Sequence, residues 1–220
     1  MDFLYLFPTS IDQGTDGNLS LSWGGGDPFR QKRDVQARPA ISNPLVVPGA
    51  LGPDECDRVV ELGARRVRRK GGVDERADLE SRDYRVSDIS WIEPDADAQW
   101  LYHRLAVLFA QANAAYGFEL LGFVEALQFT CYGPGQYFAW HADIGPGETA
   151  CRKLSMTVQL EEPGAYEGGD LQFHGAGAMP IARARGSATF FPSYMAHQVA
   201  PVASGLRRSL VAWGYGPSFR

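Results

Sequence analysis

The sequence predicts a mainly β, α+β fold: an antiparallel sandwich or barrel-like second half, braced by helices from the first half. Three observations carry this. From Leu120 onward, short apolar runs alternate with glycine and proline turns at Gly133-Pro134-Gly135, Pro163-Gly164, Gly168-Gly169 and Gly186, a texture of many short strands. The segments with helical periodicity precede nearly all of those runs. A chain of 220 residues with 45% hydrophobic content supplies the core of one substantial domain.

In sequence order, residues 1–43 read as a lead segment without its own core, either an ordered arm or a loose one. Turn formers Asp12, Gly14, Asp16, Gly17 and Asn18 and the Gly24-Gly25-Gly26 stop interrupt its apolar pieces. The main domain is expected over 44–220, with helical support over about 53–117 and a strand-rich core over about 120–216. Leu45-Val46-Val47 predicts a short strand. Pro53 to Arg66 predicts a helix, with Val59, Val60 and Leu62 on one side and Asp54, Glu55 and Asp57 in the first turn, where the dipole favours acids. The charged stretch from Arg65 to Arg76 reads as a solvated loop or a contact for an anionic substrate.

Tyr84 to Ile92 reads as one strand ending at Pro94. Asp97 to Tyr116 is the strongest helix, with Trp100, Leu101, Leu105, Leu108 and Phe109 at helical spacing and Gly117 at the stop. Strands are then expected at Gly122 to Tyr132, Tyr137 to Asp143, Leu154 to Leu160, Asp170 to His174, Met179 to Ala184, Ser187 to Phe191, His197 to Pro201 and Arg207 to Tyr215. His103 reads as a packing or surface residue and His174 as a surface one. Trp140, Tyr137, Phe138, Phe190 and Phe191 read as core, and Trp213 as the aromatic best placed to line a site.

Composition excludes several classes. A net charge of −5 and a pI near 5.4 argue against a nucleic-acid partner, which wants a basic face. Three cysteines without paired spacing imply neither a disulfide framework nor a zinc set, and suit a reducing, cytoplasmic setting. The run Phe3-Leu4-Tyr5-Leu6-Phe7 stops at Pro8, too short for a signal peptide or a membrane span.

The chemistry centres on His141-Ala142-Asp143. Side chains two apart on a strand point the same way, so His141 and Asp143 can share one metal while Ala142 faces away. A distant His197, at the opening of a later strand, completes two imidazoles and a carboxylate, the donor set of the facial triad that holds non-haem Fe(II). Downstream, alternation puts Arg207, Ser209, Val211 and Trp213 on one strand face. Arginine with a hydroxyl two residues on makes a compact carboxylate grip, and an inward arginine implies a bound anion.

These pieces occur together with Tyr132-Gly133-Pro134-Gly135-Gln136-Tyr137, Arg152-Lys153-Leu154-Ser155, Gly168-Gly169-Asp170-Leu171, Phe191-Pro192-Ser193, His197 with Pro201-Val202, and Gly205-Leu206-Arg207 with Trp213 six positions on. In that order they resemble the catalytic core of the prolyl 4-hydroxylase-like 2-oxoglutarate/Fe(II) dioxygenases, over about Leu127 to Trp213. The resemblance implies a double-stranded β-helix (jelly roll) of two facing sheets with the metal between them. It implies His141, Asp143 and His197 as iron ligands, Arg207 as the partner of the distal carboxylate of 2-oxoglutarate, and Tyr132 as a further co-substrate contact. Ser209 joins them from the strand face, and Arg208 is the alternative to Arg207. The cofactors implied are Fe(II), 2-oxoglutarate and O₂, with ascorbate as an accessory reductant.

Three functions stay open on the sequence: a hydroxylase of a peptidyl or free amino-acid substrate, proline foremost; an oxidative nucleic-acid dealkylase, disfavoured by the acidic charge; and a non-enzymatic jelly-roll binding module. The Ile144 to Thr149 loop, the Arg65 to Arg76 stretch and the N-terminal arm are the expected rim of the site. Oligomeric state is not legible.

Overall fold

The computed structural model describes residues 4–8, 10–13, 19–22, 43–71, 84–174 and 183–218. In sequence order the elements begin with β1 (Tyr5–Leu6), β2 (Ser10–Gln13), β3 (Leu19–Ser22) and β4 (Leu45–Val47). Helix α1 (Pro53–Arg65), β5 (Arg69–Lys70), β6 (Arg85–Val86), β7 (Asp88–Ile92) and helix α2 (Gln99–Tyr116) follow. Then come β8 (Gly122–Phe123), β9 (Leu127–Tyr132), β10 (Tyr137–His141), β11 (Arg152–Gln159), β12 (Tyr166–Gly168) and β13 (Leu171–Phe173). The last elements are β14 (Ala188–Pro192), β15 (His197–Val199), β16 (Val202–Gly205) and β17 (Arg207–Tyr215).

Two antiparallel sheets form the jelly roll. The large one runs β4-β14-β11-β17-β9-β7-β5, with β8 on the far end of β17 and β1 on β8; the small one runs β13-β15-β10-β6. Strand alternation gives the large sheet two unlike faces. Leu154, Met156 and Val158 of β11, with Leu210 and Ala212 of β17, pack under the helices, against Cys56, Val59 and Leu62 of α1 and Leu101, Leu105 and Phe109 of α2. The opposite face carries Ser155, Thr157, Gln159, Arg207 and Ser209, all buried, and looks toward the small sheet. A smaller apolar cluster of Tyr132, Leu171, Phe173, Phe191, Val199 and Val202 joins the sheets.

Both helices start and stop where expected. Pro53 opens α1 and the Glu55 carboxylate accepts the Gly52 N–H at 2.8 Å. Helix α2 ends at Gly117, left-handed at φ 70°, with the Asn113 side chain bonded to both backbone groups of Phe118. No described helix is long and apolar enough to cross a membrane.

Several sequence readings are corrected. Tyr84 to Ile92 is two strands, not one: β6 pairs with β10 in the small sheet and β7 with β9 in the large one, the backbone crossing over at Ser87. The expected Gly122 to Tyr132 strand is interrupted after Phe123. The expected Met179 to Ala184 strand lies outside the described residues except for Arg183 and Ala184, which are not in a strand. The β12–β16 ribbon was not anticipated. Trp140 is 43% exposed, so it is not core. Of the lead segment, Leu4 and Phe7 bond to the backbone of Phe123 and Leu121, and Tyr5 and Phe7 pack against the core. Residues 23–42 lie outside the described residues. His103 packs against Tyr5, and His174 is exposed beside Trp140.

Gly63 sits inside α1, where alanine ordinarily stabilises a helix by about 1 kcal/mol. Here an added Cβ would fall 2.2 Å from the Phe129 ring. Overpacking costs of about 1–3 kcal/mol should therefore win, and Gly63→Ala is expected to lower the thermal unfolding midpoint. An unchanged or raised midpoint would mean that α1 does not lie this close to the sheet.

Candidate metal and co-substrate site

His141 ends β10 and His197 opens β15, and the two face each other as direct cross-strand partners. A register shift in β10 between Phe138 and His141 turns the histidine inward. Each imidazole is tied to its own strand. His141 Nδ1 lies 2.8 Å from the Ala139 carbonyl, and His197 Nδ1 lies 2.9 Å from the Met195 carbonyl. A carbonyl only accepts, so each Nδ1 is the donor and each Nε2 is the nitrogen turned to the site.

Asp143 is not on the strand as the alternation argument assumed; β10 ends at His141. Its position comes from the backbone instead. The N–H groups of Asp143 and Ile144 both donate to the Ser193 carbonyl, at 2.9 and 3.1 Å, and the Asp143 carbonyl accepts from Arg152 Nη1 at 3.0 Å. Arg152 is in turn held by Glu125 and Tyr215 and lies 4.0 Å over the Trp213 ring.

The donor atoms of His141, Asp143 and His197 lie within 4.8 Å of one another. His141 Nε2 is 3.7 Å from Asp143 Oδ1, and His197 Nε2 is 3.8 Å from Asp143 Oδ2. These separations are too long for hydrogen bonds. Burial and the neighbouring His197 push the His141 pKa down to about 4, so its ring is neutral near neutral pH and the contact is not an ion pair. Burial alone would raise Asp143, but His197, His141, Arg152 and a hydrogen bond from Ser155 hold it below the usual carboxylate range. Its Oδ2 is buried with no hydrogen-bond partner. Two imidazole Nε2 atoms and one carboxylate oxygen without a hydrogen-bond partner among the described residues, converging in a buried space, suit a divalent transition ion.

Across the cleft lies β17. Arg207 is 1% exposed and faces Tyr132 of β9 in register, with its guanidinium carbon 5.4 Å above that ring. Its Nη1 donates to Ser209 Oγ at 3.3 Å, while Nε and Nη2 are buried without a partner. Burial holds its pKa below the ordinary arginine value, opposed by Tyr132 and Tyr166. A full cation with orphaned donors is an unfinished site that an anion completes. Arg208 points the other way and pairs with Glu161, so the strand register read from the sequence stands.

One cleft, open in part to solvent, joins these groups, lined by Arg207, Ser209, Val211 and Trp213 from β17, by Tyr132 and Gln128 from β9, and by the two histidines and Asp143. Every site residue named from the sequence therefore lines one cavity. Arg85, Gln128 and Thr157 also line it, and none was singled out; Arg85 was hidden because the strand carrying it changes sheets. Tyr166, beside Arg207, escaped notice for want of a readable strand. Ser155 lay within a quoted motif but carried no assigned role.

A jelly roll with two histidines and an aspartate on the small-sheet side and a buried arginine opposite is the architecture of oxygenases that use non-haem iron and a 2-oxoacid. The comparisons agree. Residues 127–215 match the family described as the 2OG-Fe(II) oxygenase superfamily. A PKHD-type hydroxylase from Picosynechococcus sp. is 35% identical over 91 residues, covering 41% of this chain and 42% of that protein. The sequence thus aligns with about two fifths of the length of the curated relatives it matches. Among solved structures, a prolyl-4-hydroxylase from Pseudomonas putida superposes with a TM-score of 0.62 at 22% identity, over 80% of this protein and 95% of that one. A viral collagen prolyl hydroxylase from Paramecium Bursaria Chlorella virus-1 gives 0.60 at 20% identity, over 79% and 96%. At such identities the structural likeness shows the fold, that of the prolyl hydroxylase-like 2-oxoglutarate/Fe(II) oxygenases that the sequence motifs resemble.

The depressed His141 pKa has a measurable consequence. Between pH 6.5 and about 4 the unfolded protein takes up a proton that the folded site refuses, so stability falls as pH drops through that window. The metal-free protein is expected to lose unfolding midpoint from about pH 7 to about pH 5, and His141→Gln to lose less of it. Equal slopes for the two proteins would contradict a buried neutral imidazole.

Proposed function

We propose that the protein is a 2-oxoglutarate- and Fe(II)-dependent dioxygenase that hydroxylates a C–H bond of a peptidyl or free amino-acid substrate. The observation that carries the reading is the pairing, across one cleft, of two imidazole Nε2 atoms and a carboxylate with a fully buried arginine whose Nε and Nη2 have no hydrogen-bond partner among the described residues. In this reading His141, Asp143 and His197 hold the iron. Arg207, with Ser209 and Tyr132, holds the distal carboxylate of 2-oxoglutarate. Fe(II), when bound, supplies the oxygen chemistry that couples conversion of 2-oxoglutarate and O₂ to succinate and CO₂ with insertion of one oxygen atom into the substrate.

The protein's own residues account for the rest. The Ala139 and Met195 carbonyls fix the tautomer and tilt of the two ligand rings. Arg152 and the Ser193 carbonyl hold Asp143 from both sides of its peptide unit. Phe138 stacks on His141 at 3.5 Å between ring centroids, and with Leu171, Val199 and Trp213 it gives the cleft apolar walls that limit water around the reacting centre. The amino-acid class rests on charge: an acidic protein suits an amino-acid or peptidyl substrate better than a phosphate backbone.

Succinate formation from 2-oxoglutarate, with mass spectrometry of candidate substrates starting with proline and proline-containing peptides, tests the reading. His141→Ala and His197→Ala are expected to abolish turnover. Arg207→Ala should raise the 2-oxoglutarate requirement steeply, since a buried charge-assisted contact is worth about 2–5 kcal/mol, while Arg208→Ala, whose side chain pairs with Glu161, should change it little. Full turnover in either histidine variant, or a reversed order of the two arginines, would sink the assignment of these residues.

A further inference from the structure

The cleft contains a second arginine that the reading above does not use. Arg85 of β6 lines it. The side chain is held rigidly: Nε donates to Ser87 Oγ at 2.9 Å, Nη2 donates to Gln128 Oε1 at 2.7 Å, and the guanidinium lies 4.6 Å over the Phe138 ring. Behind it the backbone packs tightly, because a Cβ on Gly71 would fall 2.3 Å from Ser87 Oγ and 2.9 Å from Arg85 Nε. Both hydrogen-bond partners are neutral, and among the described residues Arg85 has no carboxylate in salt-bridge contact. Two of its five N–H donors are spoken for.

Position separates the two arginines. Gln128, which Arg85 grips, stands opposite Val211, whereas Tyr132 stands opposite Arg207. Four residues of β17 divide those points, or about 13 Å at about 3.3 Å per residue. A five-carbon diacid has four C–C bonds of about 1.5 Å, roughly 5 Å end to end. The strand positions that the two arginines engage are thus farther apart than one 2-oxoglutarate is long. The cleft offers two cations and, from its lining, a single carboxylate, Asp143, so its charge calls for a second anion from a second molecule.

We propose that Arg85 is the specificity-determining cation of the site and takes the carboxylate of the substrate, which places the substrate among free amino acids or the carboxyl-terminal residues of peptides and not among interior peptide residues. This rests on the dioxygenase reading and narrows its substrate class. A carboxylate can take the remaining Nη donors of the fork, and the ring contact with Phe138, itself stacked on His141, brings the anchored molecule beside the candidate metal ligands.

The test compares the twenty L-amino acids, and short peptides ending in each of them, with their carboxamides as stimulants of succinate formation, using the protein with Fe(II), 2-oxoglutarate and O₂. Amidation removes the carboxylate charge and leaves the amine and side chain in place. In the wild type, an acid that stimulates turnover should exceed its amide by about ten-fold or more in kcat/KM. Arg85→Gln should erase that preference, mainly through KM of the acid, and Arg85→Lys should keep part of it. Unfolding midpoints and Mn(II) affinity of both variants separate a lost contact from a lost fold. Equal use of acid and amide by the wild type, a preference retained in Arg85→Gln, or basal succinate formation that no free acid and no peptide carboxyl terminus stimulates would overturn the role of Arg85 while leaving the dioxygenase reading intact. Absence of succinate under every condition would overturn that reading and the inference with it.

Discussion

A guanidinium buried between two β-sheets is the constraint around which the site is arranged. Arg207 is 1% exposed, donates to Ser209 Oγ at 3.3 Å, and has Nε and Nη2 buried without a hydrogen-bond partner among the described residues. In a folded protein such a group costs several kcal/mol unless an anion meets it. Among the described residues no carboxylate forms an ion pair with it, and Gly169 leaves it room: a Cβ there would lie 2.9 Å from Arg207 Cδ. In the proposed reading a bound carboxylate completes this residue, and the helices on the sheet's other face supply hydrophobic burial that offsets the cost.

The small sheet contributes the complementary half. Its two histidines are immobilised by backbone carbonyls two residues upstream, an arrangement that comes from the local backbone and needs no other side chain. Asp143 is held differently, by the turn after β14 and by Arg152 from β11 of the large sheet. The carboxylate therefore bridges the sheets, and its geometry depends on their spacing in a way that the histidines' does not. Loss of the Glu125–Arg152–Tyr215 group is expected to disturb Asp143 first.

Much of this was legible in the sequence because it is written in short-range pattern. Turn glycines and prolines located the second-half strands, periodicity located both helices, and alternation along β17 put Arg207, Ser209, Val211 and Trp213 on one face, as observed. What escaped depends on which sheet a strand joins. Tyr84 to Ile92 is continuous in composition, yet it changes sheets at Ser87, and only that change brings Arg85 into the cleft. Trp140 looked like core because its neighbours are aromatic, but the irregularity in β10 that turns His141 inward leaves it exposed. Asp143 met its expected neighbours for a different reason from the one inferred, through backbone hydrogen bonds and not through alternation. The β12–β16 ribbon was unreadable because Gly168, Gly169 and Gly205 adopt positive φ in or beside its strands, where sequence pattern suggests only turns.

The central claim is that the two sheets build one site, with metal and 2-oxoglutarate sharing it. Linkage makes this measurable, because whatever factor one ligand imposes on the other's affinity is returned in full, and a metal that takes 2-oxoglutarate as a ligand raises it. Anaerobic calorimetric titration of 2-oxoglutarate into the metal-free protein and into the protein loaded with Fe(II) is the direct test. The account predicts markedly tighter 2-oxoglutarate binding with Fe(II) present, and loss of that enhancement in Asp143→Ala. Equal affinity with and without the metal, or an enhancement that survives removal of the Asp143 carboxylate, would contradict it.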